Sequence, residues 1–464
     1  MNRRKFIGQS TLLGIGGVLF PKIINASNLN STTSVSQAKN IIFMVSDGMS
    51  SGTLSMANQL HHLLHGKSSQ WIQLYQESKV KRSLMDTSSL NSLITDSAAG
   101  GSAWGGGHRV ENGKLNVGPN GERYLPILQK FKKAGKSVGC VTTVPITHAT
   151  PASFCVMNEH RSGQEAIAEE YLRLKFDVML GGGDNYFNKE KRSDKKDVYQ
   201  AFLDEQFIVL RDLTSLQNQQ KTNQPIIGVF AEDALPYKID RTAKETTSPS
   251  LSDLTTLALN QLNQNSNGFF LQIEAGKVDW AAHANDASAL LYDQLEFDTV
   301  IQQVIQFAEK NRDTLVVITT DHGNANPGLF YGEKSVKNFE KLLSVKQSNE
   351  WIFKGYSSEL TPKQLIERIE YASNVLLTND EATHLIQLIK ENRTDGVYNP
   401  YKFPFQQLSK YQSPHTSIGW AGKDHSSDHV ELCMFGPGSE HLPAFIHNYE
   451  LHNYLLTISG LPTN

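Results

Sequence analysis

Seven short apolar runs punctuate the chain: NIIFMVS (residues 40–46), KSVGCVTTV (136–144), FDVML (176–180), PIIGVFA (225–231), GFFLQIE (268–274), DTLVVITT (313–320) and HVELCMFG (429–436). They are rich in Val, Ile and Phe and show little polar alternation, the pattern of strands buried on both faces. Amphipathic stretches with helical spacing lie between them, such as LPILQKFKKAG and DTVIQQVIQFAEKN. Alternating strands and helices predict an α/β fold: a central, mostly parallel sheet with helices on both faces. From about Glu333 to Pro414 the pattern changes to polar helices such as LTPKQLIERIEYASN and NDEATHLIQLIKENR, with no strand-like run. This segment reads as a helical insertion over or beside the sheet. The core then comprises residues 39–332 and 415–464, interrupted by 333–414.

The first residues follow a different logic. Arg3-Arg4, Lys5 and Phe6 precede a short apolar run from Thr11 to Phe20. That run is too short and too Gly-rich to span a bilayer. Paired Arg before Phe predicts a twin-arginine export signal over residues 1–26, cleaved after Ala26, with a disordered spacer over 27–38. The expected location is periplasmic or secreted, with no membrane anchor in the mature form. The 464 residues carry a net charge of −3, are 20% charged, and show no basic block, which argues against nucleic acid as a specific partner. Three cysteines, Cys140, Cys155 and Cys433, are too few for a disulfide framework. One bridge among them stays open.

In an open parallel sheet, functional groups collect just past the carboxyl ends of strands. Here NIIFMVS is followed by Asp47, GFFLQI by Glu274, and DTLVVITT by Asp321-His322, while KSVGCVTTV leads to His148 and Thr150. Four strands thus deliver oxygen or imidazole ligands to one sheet edge. Asp279 and His283 are four residues apart, so a helix would place them on one face. In GKDHSSDHVELCMFG, His425 precedes the strand whereas His429 begins it, which favours His425 as a ligand. Asp and His together without Cys suit zinc in catalytic use. Asp47, Thr150 and Glu274 form an oxygen set suited to magnesium. The stretch TDSAAGGSAWGGG (residues 95–107) places Ser97 among residues with almost no side chain. It reads as a nucleophile at a helix start, where small neighbours admit a ligand.

Taken together, these motifs resemble the alkaline phosphatase family. TDSAAGGSAW resembles its nucleophile segment, DGM its bridging metal aspartate, Glu274/Asp279/His283 its E-x4-D-x3-H run, and TTDHG its second zinc motif. His425 lies twelve residues before Pro437, as in the family pattern, and Arg161 lies eleven residues after Thr150, matching the phosphate-binding arginine. The resemblance implies two zinc ions and one magnesium. Asp279, His283 and His425 would hold one zinc. Asp47, Asp321 and His322 would hold the other, beside Ser97. Asp47, Thr150 and Glu274 would hold the magnesium. It further implies attack by Ser97, a phosphoserine intermediate, and phosphate held by Arg161. His148 stands where an Asp is often found, so it could join the third site and favour zinc there. Trp280 stands where a Lys or His is often found, and would border the phosphate without supplying charge.

The implied activity is a metal-dependent phosphate monoester hydrolase acting on small monoesters and releasing phosphate and an alcohol. Rival readings are a phosphodiesterase or mutase on the same scaffold, or a non-catalytic phosphate- or metal-binding protein. The absence of a C-x-P-x-R stretch argues against a sulfatase. The insertion would cap the site, pair with a second subunit, or do neither, which leaves a homodimer open.

Overall fold

The computed structural model describes residues 37–241, 247–354, 360–391 and 403–463. The export signal expected over 1–26, and the spacer as far as residue 36, lie outside the described residues. Gln37 leads directly into Ala38, which is buried and donates its amide to Ile458 O at 2.9 Å.

Fourteen strands are described. In chain order they are β1 (Asn40–Ser46), β2 (Lys81–Asp86), β3 (Ser137–Pro145), β4 (Val178–Gly182), β5 (Ile208–Leu210), β6 (Ile226–Val229), β7 (Phe269–Ala275), β8 (Thr314–Thr319), β9 (Gly323–Asn324), β10 (Pro327–Leu329), β11 (Ile418–Trp420), β12 (His425–Ser426), β13 (Val430–Phe435) and β14 (Phe445–His447). Ten of them form one sheet in the order β14-β2-β13-β8-β1-β7-β3-β4-β6-β5. Helices cover both faces. Every residue of β1, β7 and β8 is buried, as their unbroken apolar runs require.

The neighbours β8, β1, β7 and β3 run parallel, so their carboxyl ends open onto one place. Asp47, Asp321-His322, Glu274 and the His148–Thr150 segment follow those four ends. Next to them β13 runs antiparallel to β8. Its amino end therefore lies at the same edge, which brings in the segment holding His425. The short ribbon β9–β12 fixes that segment, with His425 opposite Asn324.

Between residues 333 and 414 the described residues form helices and no strand. Ile352, Phe353, Leu365, Ile369, Leu385 and Leu408 give this segment its own apolar core. Its two ends are joined by the antiparallel pair β10–β11, with Leu329 opposite Ile418. The insertion is also tied to the helix Ala287–Lys310, because Asn349 donates its amide to the capping Asp286 at 2.6 Å. Among the described residues no helix is long and apolar enough to cross a membrane. All three cysteines are buried and free; Cys140 and Cys155 face each other with sulfurs 3.6 Å apart.

Candidate active site

Ser97 opens a helix, Ser97–Gly106, in which every residue is buried. Asp96 caps it, accepting from the amide of Ala99 at 2.9 Å. The other Asp96 oxygen accepts from Gly113 N at 3.0 Å and from Arg161 Nη1 at 3.0 Å. One carboxylate therefore sets both the helix carrying Ser97 and the guanidinium beside it. Ser97 Oγ lies 3.3 Å from His322 Nε2. Ser97, Arg161, His148, Trp280, His283 and His425 line one cleft of about 600 Å³.

Three groups of ligand-type side chains converge there, each with its ligand atoms within 4.8 Å of one another: Asp279/His283/His425, Asp47/Asp321/His322 and Asp47/His148/Glu274. Thr150 belongs with the third group, since its hydroxyl donates to Asp47 Oδ2 at 3.3 Å. In the first group, His283 Nδ1 meets Lys423 O at 2.6 Å and His425 Nδ1 meets Thr95 O at 2.9 Å. A backbone carbonyl can only accept, so each Nδ1 carries the ring proton. The two Nε2 lone pairs then face each other at 3.1 Å, with Asp279 3.4 and 3.6 Å away. Two acceptors and a carboxylate in that arrangement call for a cation between them. Asn324 orients the carboxylate, donating to Asp279 Oδ1 at 2.6 Å. Gly48, at φ +67°, leaves the approach open, since a Cβ there would sit 2.4 Å from the same oxygen.

The electrostatics agree. Asp47 Oδ1, Glu274 Oε1, Asp321 Oδ2 and His322 Nδ1 are buried without a hydrogen-bond partner. Burial pushes Glu274 up to about 7. Burial, and then the charge of Asp279, push Asp321 to about 7 as well. Asp47 is raised by burial and by the charges of Asp321, Asp279 and Glu274. Burial opposes ionisation of Asp279 too, but in the metal-free protein positive charge on the His283 and His425 imidazoles holds it below the carboxylate range, a place a metal ion would take over. Buried like charges at this density persist only when cations compensate them. The donor set therefore fits bound metal ions.

His148 behaves differently from the other imidazoles. Its Nε2 accepts from Arg161 Nη2 at 3.2 Å, and burial followed by the Arg161 charge lowers its pKa to about 3. A neutral imidazole has one acceptor nitrogen. While that nitrogen serves Arg161, it is not available to a metal. Trp280 packs edge-on to the same ring, with centroids 6.1 Å apart.

All twelve residues expected at the site thus meet at one sheet edge. Three further contributors were not foreseen. Asp96 is one, and its position directly before the Ser97 helix was the available signal for its capping role. Thr142 donates to Glu274 Oε2 at 2.5 Å and Asn324 holds Asp279, and nothing in the chain order pairs either residue with its partner. Two other histidines lie elsewhere: His452 Nδ1 donates to Trp104 O at 2.8 Å under the Ser97 helix, and His384 Nδ1 meets the Tyr411 hydroxyl at 2.8 Å.

The family model for alkaline phosphatase matches residues 38–461. Alkaline phosphatase 4 of Bacillus subtilis (strain 168) is 33% identical over 374 residues, 79% of this chain and 76% of the relative. Alkaline phosphatase 3 of the same organism is 29% identical over 432 residues, 89% of this chain and 87% of its own. The crystal structure of Thermus thermophilus alkaline phosphatase superposes with a TM-score of 0.87 at 31% identity, covering 92% of this chain and 93% of that one.

Proposed function

The chain belongs to the alkaline phosphatase family, and on that premise we propose that Ser97 is the nucleophile of this phosphate monoester hydrolase and carries the phosphoryl group as phosphoserine. The observation that carries this reading is the contact of Ser97 Oγ with His322 Nε2 at 3.3 Å, in the cleft that Arg161 lines. His322 belongs to the Asp47/Asp321 group, so the hydroxyl borders a cation site.

The enzyme is metal-dependent, with three clustered metal-binding groups. We assign zinc to Asp279/His283/His425 and to Asp47/Asp321/His322, whose mixed imidazole and carboxylate donors suit it. The oxygen donors of Asp47, Thr150 and Glu274 suit magnesium. His148 would add an imidazole donor there, and so favour zinc, only with its ring nitrogen freed from Arg161. Bound ions of this kind stabilise an alkoxide nucleophile and the charge on a leaving oxygen.

The protein's own groups do the rest. The Ser97 hydroxyl sits at a helix start, where unpaired first-turn amides and the helix dipole favour an anion. Arg161 offers a fork of N–H donors to the phosphoryl oxygens, held in aim by Asp96 and His148. Ser97 is 1% exposed at the wall of this cleft. Trp280 borders the phosphate and adds no charge.

The test compares kcat/KM for an aryl phosphate monoester with the matching diester. A diester has one unesterified oxygen fewer, and with it loses hydrogen bonds that Arg161 and the third group would make. Two lost charge-assisted hydrogen bonds at about 1.5–3 kcal/mol each correspond to roughly 10²–10⁴-fold. A monoester preference near a thousandfold is expected; a diester preference would remove the role given to Arg161. Arg3-Arg4 and the Thr11–Phe20 run support export by the twin-arginine route to the periplasm or medium.

A further inference from the structure

A second cavity adjoins the catalytic cleft. It has a volume of about 700 Å³, is lined in part by Asn185, Phe230, Asp233, Lys277, Glu350 and Lys354, and shares Trp280 with the cleft that holds Ser97. Its walls come from the chain following β4 (Asn185), β6 (Phe230, Asp233) and β7 (Lys277, Trp280). These are carboxyl ends on the same edge of the sheet as the catalytic groups. The insertion supplies the remaining side through its helix Asn349–Lys354.

That side is fixed by charge. Lys277 Nζ lies 3.1 Å from Glu350 Oε2, with the two side chains only 2% and 9% exposed. The ammonium also sits 3.6 Å from the Tyr237 ring centre and 5.0 Å from that of Trp280. Lys354 meets the other Glu350 oxygen. Glu350 is thereby committed to two lysines. Asp233 is not: its half-buried carboxylate has no hydrogen bond or ion pair among the described residues, and burial raises its pKa.

We propose that this cavity is the subsite for the alcohol half of the substrate and that it takes a neutral polyol or sugar; this rests on the Ser97–Arg161 reading of the neighbouring cleft. Asp233 and Asn185 offer acceptors and donors to hydroxyl groups, while Trp280 and Phe230 offer flat apolar faces to the carbon skeleton. Glu232, Asp233 and Glu350 line the cavity with Lys277 and Lys354, and Glu232 also pairs with Lys191, so the lining has no surplus positive charge for a second anionic group on the substrate.

The experiment measures kcat/KM of the metal-loaded enzyme for glucose 6-phosphate and for p-nitrophenyl phosphate, in wild type, Asp233→Asn and Asn185→Ala. Each variant should lose about tenfold on the sugar phosphate, the worth of a hydrogen bond to a charged or buried polar partner. Both should stay within about twofold on the aryl ester, whose leaving group carries no hydroxyls for them. No change on either substrate, or an equal fall on both, would overturn the subsite. Wild type alone gives a second reading: fructose 1,6-bisphosphate should be a poorer substrate than fructose 6-phosphate, and the reverse order would overturn the charge argument. Failure of wild type to hydrolyse p-nitrophenyl phosphate would instead overturn the reading of the catalytic cleft.

Discussion

Two glycines five residues apart in the Ser97 helix should respond to the same substitution with opposite sign. A Cβ at Gly105 would lie 2.0 Å from the carbonyl oxygen of Ser153 and 3.2 Å from Asn116 Oδ1. Carbon–oxygen contacts settle near 3.3–3.6 Å, so the helix Ala149–Cys155 would have to withdraw by more than roughly 1 Å. Asn116 also clamps that helix, donating to Ser153 O at 2.6 Å and Val156 O at 2.7 Å. Overpacking of this kind costs about 1–3 kcal/mol, and each strained hydrogen bond adds about 0.5–1.5 kcal/mol. Against this stands a helix-propensity gain of about 0.8–1.0 kcal/mol for Ala over Gly. Gly105→Ala is therefore expected to destabilise by about 1–5 kcal/mol. The withdrawn helix carries Thr150 and follows His148, so kcat/KM should also fall, by up to about 10²-fold for a 1 Å misplacement. At Gly100 the nearest atoms to a Cβ are 3.4 Å away, ordinary contact. Gly100→Ala keeps the propensity gain and should be neutral or stabilising by up to about 1 kcal/mol. Urea denaturation at fixed zinc and magnesium, with kcat/KM on p-nitrophenyl phosphate, measures both. Equal behaviour of the two variants, or a Gly105→Ala protein as stable and active as wild type, would refute the reasoning.

Ser97→Ala should lower turnover by about 10³-fold or more while leaving bound zinc unchanged by atomic absorption, because Ser97 supplies the attacking oxygen while the three groups of metal-binding side chains stay intact. A variant with wild-type turnover would remove Ser97 as nucleophile. Metal binding should be steeply pH-dependent. Glu274 and Asp321 have folded pKa values of about 7, above their ordinary range, so the metal-free protein holds their protons at low pH. Their contribution to metal-free stability is present below the ordinary carboxylate pKa and is lost as pH rises through about 7. Metal ions reverse this by occupying the charged form. Zinc titrated calorimetrically into stripped protein should release more protons at pH ~6 than at pH ~9, in buffers of differing ionisation enthalpy. Equal release at both would contradict the assignment of these carboxylates as ligands.

The chain order alone revealed the central strands and the residues that follow them. β1, β7 and β8 are covered on both faces, so burial imposes unbroken apolar runs that need no knowledge of neighbours. The edge region was illegible for the converse reason. β2 reads KRSLMD with half its residues exposed, and β14 and β5 span three residues each, too short for periodicity. Ligand types could also be read locally, because strand ends in a parallel sheet face the functional edge whatever the strand order. Asp279 and His283 needed only helical spacing.

What surrounds those ligands was decided by tertiary structure. The order β8-β1-β7-β3 brings four strand ends together, and the antiparallel β13 turns His425 toward Asp279 across 146 residues of sequence. Asp96 reaches Arg161 across 65 residues, and Asn324 reaches Asp279 across 45. The helical composition of 333–414 was visible in its spacing, but not that Glu350 would meet Lys277 beneath Trp280 and close one side of a second cavity. Burial and chain periodicity act on each residue separately and leave a mark in local sequence. Hydrogen bonds and ion pairs between distant segments depend on which strands become neighbours, a choice made only when the whole sheet assembles.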